Sequence, residues 1–150
     1  MHLVEQLDTD FKTALKTKDA GRLSVLRLVR SAIKNLEIAK QGTASDEDVV
    51  EILQREIKQH KESLAAFKLA GRESEVARLA AETDMLAVYL PEQLSLDELK
   101  GVIDKVIEET RASGMQDVGK VMGRVMPQVK GRASGDMVGD MVRGLLTSDG

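Results

Sequence analysis

The sequence predicts an all-α fold, in which an N-terminal helical hairpin or bundle domain precedes a small C-terminal three-helix domain. Apolar residues make up 42% of the 150 residues but aromatic residues only 2%, so Leu, Val, Ile, Ala and Met must fill the core. Such a core suits helix packing better than sheet packing, because sheets favour aromatic and β-branched pairs. The chain also has only two prolines, and its apolar residues recur with the period of an α-helix.

The first part of the chain has the pattern of four amphipathic helices. Their predicted ranges are about 3–17, 22–40, 46–69 and 72–89. Gly42 is expected to end the second helix, because glycine readily takes the left-handed conformation found just after a helix. Ser45 and Asp48 have the spacing of a capping box and predict the start of the third helix. Ala70-Gly71 should end that helix.

A domain boundary is predicted at Leu90-Pro91-Glu92-Gln93, because proline disfavours helix at the residue before it. A second capping box, Ser95 with Glu98, follows at once. Three shorter helices are then predicted over about 96–112, 118–129 and 136–146. The predicted domains are 1–92 and 93–150.

Composition narrows the chemistry that the chain can carry. There is no cysteine, which excludes disulfides, thiolate zinc sites and cysteine nucleophiles. Two histidines give little capacity for transition metals, so we expect no metal and no cofactor. The net charge is −3, so any contact with nucleic acid must rest on a local basic patch.

The N-terminus indicates a cytoplasmic protein without a membrane segment. Glu5 lies early in the chain, and no basic run followed by an apolar stretch comes near it. No window approaches the roughly 18 apolar residues that a membrane span needs. A cytoplasmic location is therefore expected.

Residues 117–132 form the most prominent basic segment of the sequence. Its apolar residues share one side of a helix, while Lys120 and Arg124 lie one turn apart on the other side. Lys130 and Arg132 follow in a glycine-containing loop. These four cations, with the Gly131 amide, are the candidate phosphate contacts, and the alternative is an ordinary solvated charged face. The helix glycines are equally explained by helix packing.

Other candidate residues lie in the N-terminal domain. A second basic stripe consists of Arg27, Arg30 and Lys34, which either contact phosphates or pair with acids of the third helix, such as Glu51 or Glu62. Glu56 and His60 lie one turn apart within an apolar face; they are a general-base pair, half of a metal site, or a hydrogen-bonded packing pair joined by an arginine of the second helix. Tyr89 either stacks on a base or packs at the hinge beside Pro91.

Several motifs together resemble the GatB/YqeY domain family. Gly-Lys-Val-Met-Gly at 119–123, Met-Pro at 126–127 and Lys-Gly-Arg-Ala at 130–133 resemble the C-terminal signature of that family. Residues 55–63, 70–72 and 89–95 resemble its stand-alone YqeY-like members, so the likeness spans nearly the whole chain. Two positions depart from the pattern: His60 stands where a longer base is expected, and Ser134 stands where an acid is expected.

The resemblance implies a relation to RNA. In the tRNA-dependent amidotransferase, the tail of the B subunit contacts tRNA, and residues 96–146 resemble that tail. The phosphorylating and amide-forming site lies in the body of that subunit, which these residues do not resemble. The family label of a glutamine-dependent carbon–nitrogen ligase therefore receives little support, because the sequence shows no phosphate-cradling loop and no glutaminase nucleophile.

From these observations we expect a helical protein that associates with tRNA or another structured RNA and has no catalytic residues of its own. It would act as a binding or adaptor module, with an aminoacyl-tRNA-related protein as a further expected partner. One alternative is a protein-interaction module without RNA contact. Another is a component of amidotransferase activity, and the sequence leaves enzyme activity and oligomeric state open.

Overall fold

The computed structural model describes residues 2–148, and over that range the protein has seven α-helices, one short 3₁₀ helix and no strand. The α-helices are α1 (Leu3–Thr17), α2 (Ala20–Lys40), α3 (Asp46–Leu69), α4 (Glu73–Ala87), α5 (Leu96–Thr110), α6 (Val118–Val129) and α7 (Gly135–Ser148), and the 3₁₀ helix is Met115–Asp117. The prediction of an all-α fold is confirmed. No helix within residues 2–148 is both long enough and apolar enough to cross a bilayer.

The chain divides into two compact units, Met1–Leu90 and Pro91–Gly150. The first contains α1–α4 and the second contains α5–α7. The break falls just before Pro91, within the segment where the sequence suggested a boundary. The assignment of 1–92 and 93–150 as separate domains stays a prediction.

The first unit is built around α3, which packs against α4 along most of its length and also contacts α1 and α2. Burial of aliphatic side chains drives this arrangement, since removing apolar surface from water contributes about 25 cal/mol per Å². The buried core residues are Leu7, Val25, Leu26, Val29, Ile33, Ala44, Val49, Ile52, Leu53, Ile57, Leu86 and Tyr89.

The junction between α2 and α3 is held by hydrogen bonds that the sequence pattern predicts. The Ser45 hydroxyl accepts from the Asp48 amide at 3.1 Å, and the Asp48 carboxylate accepts from the Ser45 amide at 2.9 Å. The capping box is therefore present. Lys40, the last residue of α2, also donates to the Asp48 carboxylate at 2.7 Å. This bond, with that from the Ser45 amide, lowers the pKa of Asp48 to about 2.

Within residues 2–148, three helices end in a left-handed residue that is not glycine: Lys18, Gln41 and Arg111 have φ values of 57°, 53° and 55°. The expectation that Gly42 would take this conformation is wrong, because Gln41 takes it instead. Gly42 occupies the next position, where its amide donates to the Glu37 carbonyl at 3.1 Å. That hydrogen bond is typical of a helix C-terminus. The left-handed residue is therefore Gln41 and not Gly42, while α2 still ends at Lys40 as predicted.

The second unit packs α5, α6 and α7 around its own aliphatic core. The buried residues are Leu99, Ile103, Val106, Val121, Val125, Val129, Ala133, Val138, Val142 and Leu146. Pro127 lies inside α6, which continues to Val129 before it ends. Proline bends or ends a helix because it removes an amide donor and crowds the preceding turn, and α6 stops two residues later.

The segment before α5 is tied to the loop after α6. The Leu94 amide donates to the Arg132 carbonyl at 2.9 Å, and the Gln93 amide side chain donates to the Gly131 carbonyl at 2.8 Å. Because both bonds use backbone atoms of the loop, they fix the position at which the chain leaves α6. The C-terminal end of α6 and the loop that follows it are therefore held in place by hydrogen bonds within the second unit.

Candidate nucleic-acid interface

The α6 helix separates an apolar inner side from a basic outer side. Val121, Val125 and Val129 are fully buried in the core of the second unit. Lys120 and Arg124 are exposed on the opposite side. Four residues of helix place them about 6 Å apart along its axis, so two cations lie side by side facing solvent.

The same outer side of α6 carries two exposed glycines, Gly119 and Gly123. A Cβ atom added to either one would meet no heavy atom from the rest of the described chain within 4 Å. A glycine inside a helix costs about 1 kcal/mol relative to alanine. Packing within residues 2–148 therefore does not require these glycines. They leave the backbone of α6 accessible to a partner molecule.

Neither Lys120 nor Arg124 forms an ion pair with a carboxylate within residues 2–148. Among the described residues, the one side-chain hydrogen bond to either residue comes from Gln128, which donates to the Arg124 backbone carbonyl at 3.1 Å. The guanidinium and ammonium groups are therefore available to an anion.

Lys130 and Arg132 lie beyond the end of α6 and differ from the helix pair. Lys130 is exposed at the position that caps α6. Arg132 is half-buried, and its Nε donates to the Glu92 carbonyl at 3.0 Å. Gly131 is buried with φ 80°, so its amide is poorly placed as a surface contact. The assignment of the four cations to an RNA site stays a prediction, with Lys120 and Arg124 as its open part.

The second basic stripe lies on α2 beside α1. The Arg30 Nε pairs with the Asp8 carboxylate at 3.0 Å, and its guanidinium lies 4.1 Å from the centre of the Phe11 ring. The alternative in which this arginine pairs with Glu51 or Glu62 is wrong, because its partner comes from α1. Arg27 and Lys34 are exposed and form no ion pair with a carboxylate in the described range.

A buried hydrogen-bonded pair between α3 and α4 was missed by the sequence reasoning. His60 is 8% exposed and Glu82 is 6% exposed, and the His60 Nε2 lies 2.9 Å from a Glu82 carboxylate oxygen. The His60 Nδ1 lies 2.9 Å from the Glu56 backbone carbonyl. A carbonyl only accepts, so the His60 Nδ1 donates to it, and Nε2 and the Glu82 carboxyl share one proton between them.

This geometry supports a packing role for His60. Glu56 contributes its backbone carbonyl and not its carboxylate, so the suggested Glu56–His60 side-chain pair does not form. The arginine that reaches the pair is Arg78 of α4, with Nη1 3.4 Å from Glu82, and not a residue of α2. Within residues 2–148, no three His, Asp or Glu side chains lie together as a metal site would need.

Tyr89 is buried in the first unit and is not available to stack on a base. It is 5% exposed, and its hydroxyl donates to the Asp10 carboxylate. Burial, reinforced by this bond to a carboxylate, raises the pKa of the Tyr89 hydroxyl. The residue joins the end of the α4 segment to α1.

The fold and this surface define an all-helical protein whose small C-terminal unit presents a helix face with two exposed cations and two glycines. The chain belongs to the Yqey-like protein family, whose family model matches residues 4–146. The resemblance drawn from the motifs is therefore confirmed, and the family is related to the C-terminal tail of the amidotransferase B subunit.

Curated relatives named altered inheritance of mitochondria protein 41, mitochondrial, are similar to this chain. The Pyrenophora tritici-repentis protein is 30% identical over 80% of this chain and 69% of its own length. The Saccharomyces cerevisiae protein is 32% identical over 67% of this chain and 58% of its own. The Lachancea thermotolerans protein is 34% identical over 58% of this chain and 47% of its own. The matches to the two yeast proteins thus span only about half of those relatives.

The expectation of a cytoplasmic location is contradicted by these relatives, which are named as mitochondrial proteins. The expectation rested on the early acid Glu5 and the lack of a basic run. Those features describe the charge pattern of the chain. A charged helical surface is equally compatible with the aqueous interior of the cytoplasm and with that of mitochondria. Physical chemistry of the surface therefore could not distinguish the two locations.

Proposed function

We propose that this chain is a non-catalytic RNA-associated protein whose C-terminal unit holds the sugar-phosphate backbone of tRNA or another structured RNA. The observation that carries the proposal is the outer face of α6, where Lys120 and Arg124 are exposed beside two open glycines and form no ion pair within residues 2–148. The relation of the family to the tRNA-contacting tail supports the same reading. The names of the relatives concern mitochondria and do not mention RNA.

The two glycines would allow Lys120 and Arg124 to contact a phosphate group close to the helix. A phosphate group can approach the helix closely where no side chain projects, and the flanking lysine and arginine can then reach its oxygens. Hydrogen bonds between a cation and a phosphate are short and about twice as strong as neutral ones. The face therefore suits a phosphate strand lying against α6.

The contact would select RNA by shape and charge more than by base identity. The chain contains one tyrosine and two phenylalanines. Tyr89 is buried, Phe11 lies beneath Arg30 at 4.1 Å, and Phe67 is half-buried with Arg72 above it at 5.6 Å. Each half-buried phenylalanine already has an arginine over one face of its ring, which leaves little aromatic surface within the described residues for stacking unpaired bases.

The proposal is tested by titrating labelled tRNA at several salt concentrations. Each phosphate contact contributes about −0.7 to −0.9 to the slope of log K against log salt. The two open cations account for a slope of about −1.6, and Lys130 and Arg132 would bring it to about −3 if they also engage. Lys120→Glu with Arg124→Glu should weaken binding at least tenfold at low salt and should flatten the slope by about 1.6.

Lys12→Glu with Lys16→Glu is the matched control. These α1 lysines are also exposed, one turn apart and unpaired within residues 2–148, so the net charge changes equally. Equal loss of tRNA binding in both double variants would mean that only net charge matters and would contradict the proposal. Absence of salt-dependent binding by the unmodified chain would contradict it as well.

A further inference from the structure

Gln128 is an exposed residue in the last turn of α6, four residues after Arg124. Its side-chain Nε2 donates to the Arg124 backbone carbonyl at 3.1 Å. A carbonyl only accepts hydrogen bonds, so this contact also fixes which end of the Gln128 amide is the nitrogen. The side-chain Oε1 is therefore the outer end of an amide that is already held, and no donor within residues 2–148 bonds to it.

Gln128 continues the row of exposed side chains that Lys120 and Arg124 begin. The three residues are spaced at i, i+4 and i+8, so they follow one side of the helix. Each step corresponds to about 6 Å along the helix axis. A hydrogen-bond acceptor therefore lies at the end of a row whose first two members are cationic donors.

A second acceptor lies on the same outer face of α6. Pro127 has no amide hydrogen, so it cannot donate the usual helical bond to the carbonyl four residues earlier, which belongs to Gly123. Gly123 is exposed and carries no side chain that could cover this carbonyl. The last turn of a helix also carries the negative end of the helix dipole. The C-terminal part of the outer face therefore suits a hydrogen-bond donor that accompanies a phosphate.

A ribose is the part of a nucleic acid that offers such a donor next to a phosphate. A phosphate diester accepts hydrogen bonds and has no hydrogen to donate, so it can use Lys120 and Arg124 but not the Gln128 Oε1. The 2′-hydroxyl of ribose both donates and accepts, and it is the group by which a protein distinguishes RNA from DNA. Each sugar of a strand lies between two phosphates, so a strand held by the two cations places sugars beside them.

We propose that the Gln128 side-chain oxygen accepts a hydrogen bond from a ribose 2′-hydroxyl, so that α6 selects RNA over DNA. This inference rests on the proposed function and adds sugar specificity to it. Gln128 carries no charge, so it determines which sugar is preferred and not how many phosphates are contacted. If Gln128 served only to bond a carbonyl of its own helix, the identity of the sugar would not matter to it.

The test compares the binding of the full chain to a tRNA and to a 2′-fluoro version of the same tRNA sequence. Fluorine at the 2′ position preserves the A-form sugar pucker but has no hydrogen to donate. The unmodified chain should bind the hydroxyl form about fivefold more tightly, as one neutral hydrogen bond would give. Gln128→Leu should bind both forms equally, through weaker binding of the hydroxyl form alone, and should keep the salt slope. Gln59→Leu, at an exposed glutamine of α3, is the control and should keep the preference.

Equal, salt-dependent binding of both forms by the unmodified chain would overturn this inference and leave the proposed function intact. A preference for the hydroxyl form that Gln128→Leu retains, with unchanged helical circular dichroism, would overturn it as well. Equal weakening of both forms by Gln128→Leu would show that the residue supports the helix and does not contact the sugar. Absence of salt-dependent tRNA binding by the unmodified chain is a different result, because it would contradict the proposed function and this inference together.

Discussion

At the scale of single residues, the His60–Glu82 pair is the most consequential contact that local sequence patterns could not predict. The spacing of Glu56 and His60 was visible, but the true partner lies 22 residues away on α4. A helix pattern shows neighbours one turn apart and cannot show which residue of another helix will face them. The same limit explains why the partner of Arg30 came from α1.

Breaking this pair should destabilise the protein strongly. Removing one member leaves the other buried polar group without its hydrogen-bond partner, which costs about 1–3 kcal/mol. Glu82→Leu should therefore lower the free energy of unfolding by about 2 kcal/mol, and His60→Leu with Glu82→Leu should recover most of that loss, because both polar groups are then absent.

Urea unfolding of the single and double variants measures this coupling. Asp84→Leu, at an exposed acid on the same helix, is the control and should change stability by less than about 0.5 kcal/mol. Additive losses in the double variant would show that His60 and Glu82 do not stabilise each other.

At the scale of helices, most of the fold could be predicted because the signals are local. Ser45 and Ser95 begin α3 and α5 with the expected capping boxes, and Gly71 follows α3 with φ 71°. The left-handed end of α2 was misplaced because Gln41 takes a conformation usually left to glycine. The hydrogen bonds at a helix end decide which residue takes the left-handed conformation. The amino-acid composition alone does not show those bonds.

The α2–α3 junction should make stability depend on pH through Asp48. Its pKa is lowered to about 2 in the folded protein by Lys40 and by the capping bonds. A lowered folded pKa contributes stability that is full above the unfolded value of about 3.9 and is lost as the pH falls toward 2. Asp48→Asn should therefore be less stable than the unmodified chain at pH 7, and the difference should shrink below about pH 4.

Thermal unfolding between pH 3 and 7 follows this difference. Asp97→Asn changes an exposed acid in the first turn of α5 that forms no side-chain bond within residues 2–148. This control should differ from the unmodified chain by an amount that varies little over the same range. A pH-independent difference for Asp48→Asn would show that the Lys40 contact does not act through charge.

At the scale of the whole molecule, the acidic and basic charges nearly balance, with 25 acidic and 22 basic residues. The net charge of −3 gives no sign of a nucleic-acid partner, whereas the helical period alone predicts that Lys120 and Arg124 share one face of a helix. Sequence could not show that Arg132 is bonded to the Glu92 carbonyl or that Tyr89 is buried. Those facts depend on contacts between distant segments of each unit.

The central claim is that RNA phosphates lie against the outer face of α6, and amide chemical-shift mapping of the labelled full chain with tRNA tests it most directly. The account predicts shift changes concentrated at residues 119–124, which diminish as salt is raised and are absent in Lys120→Glu with Arg124→Glu. Changes confined to residues 3–90, or saturable tRNA binding that leaves the α6 amides unmoved, would contradict it.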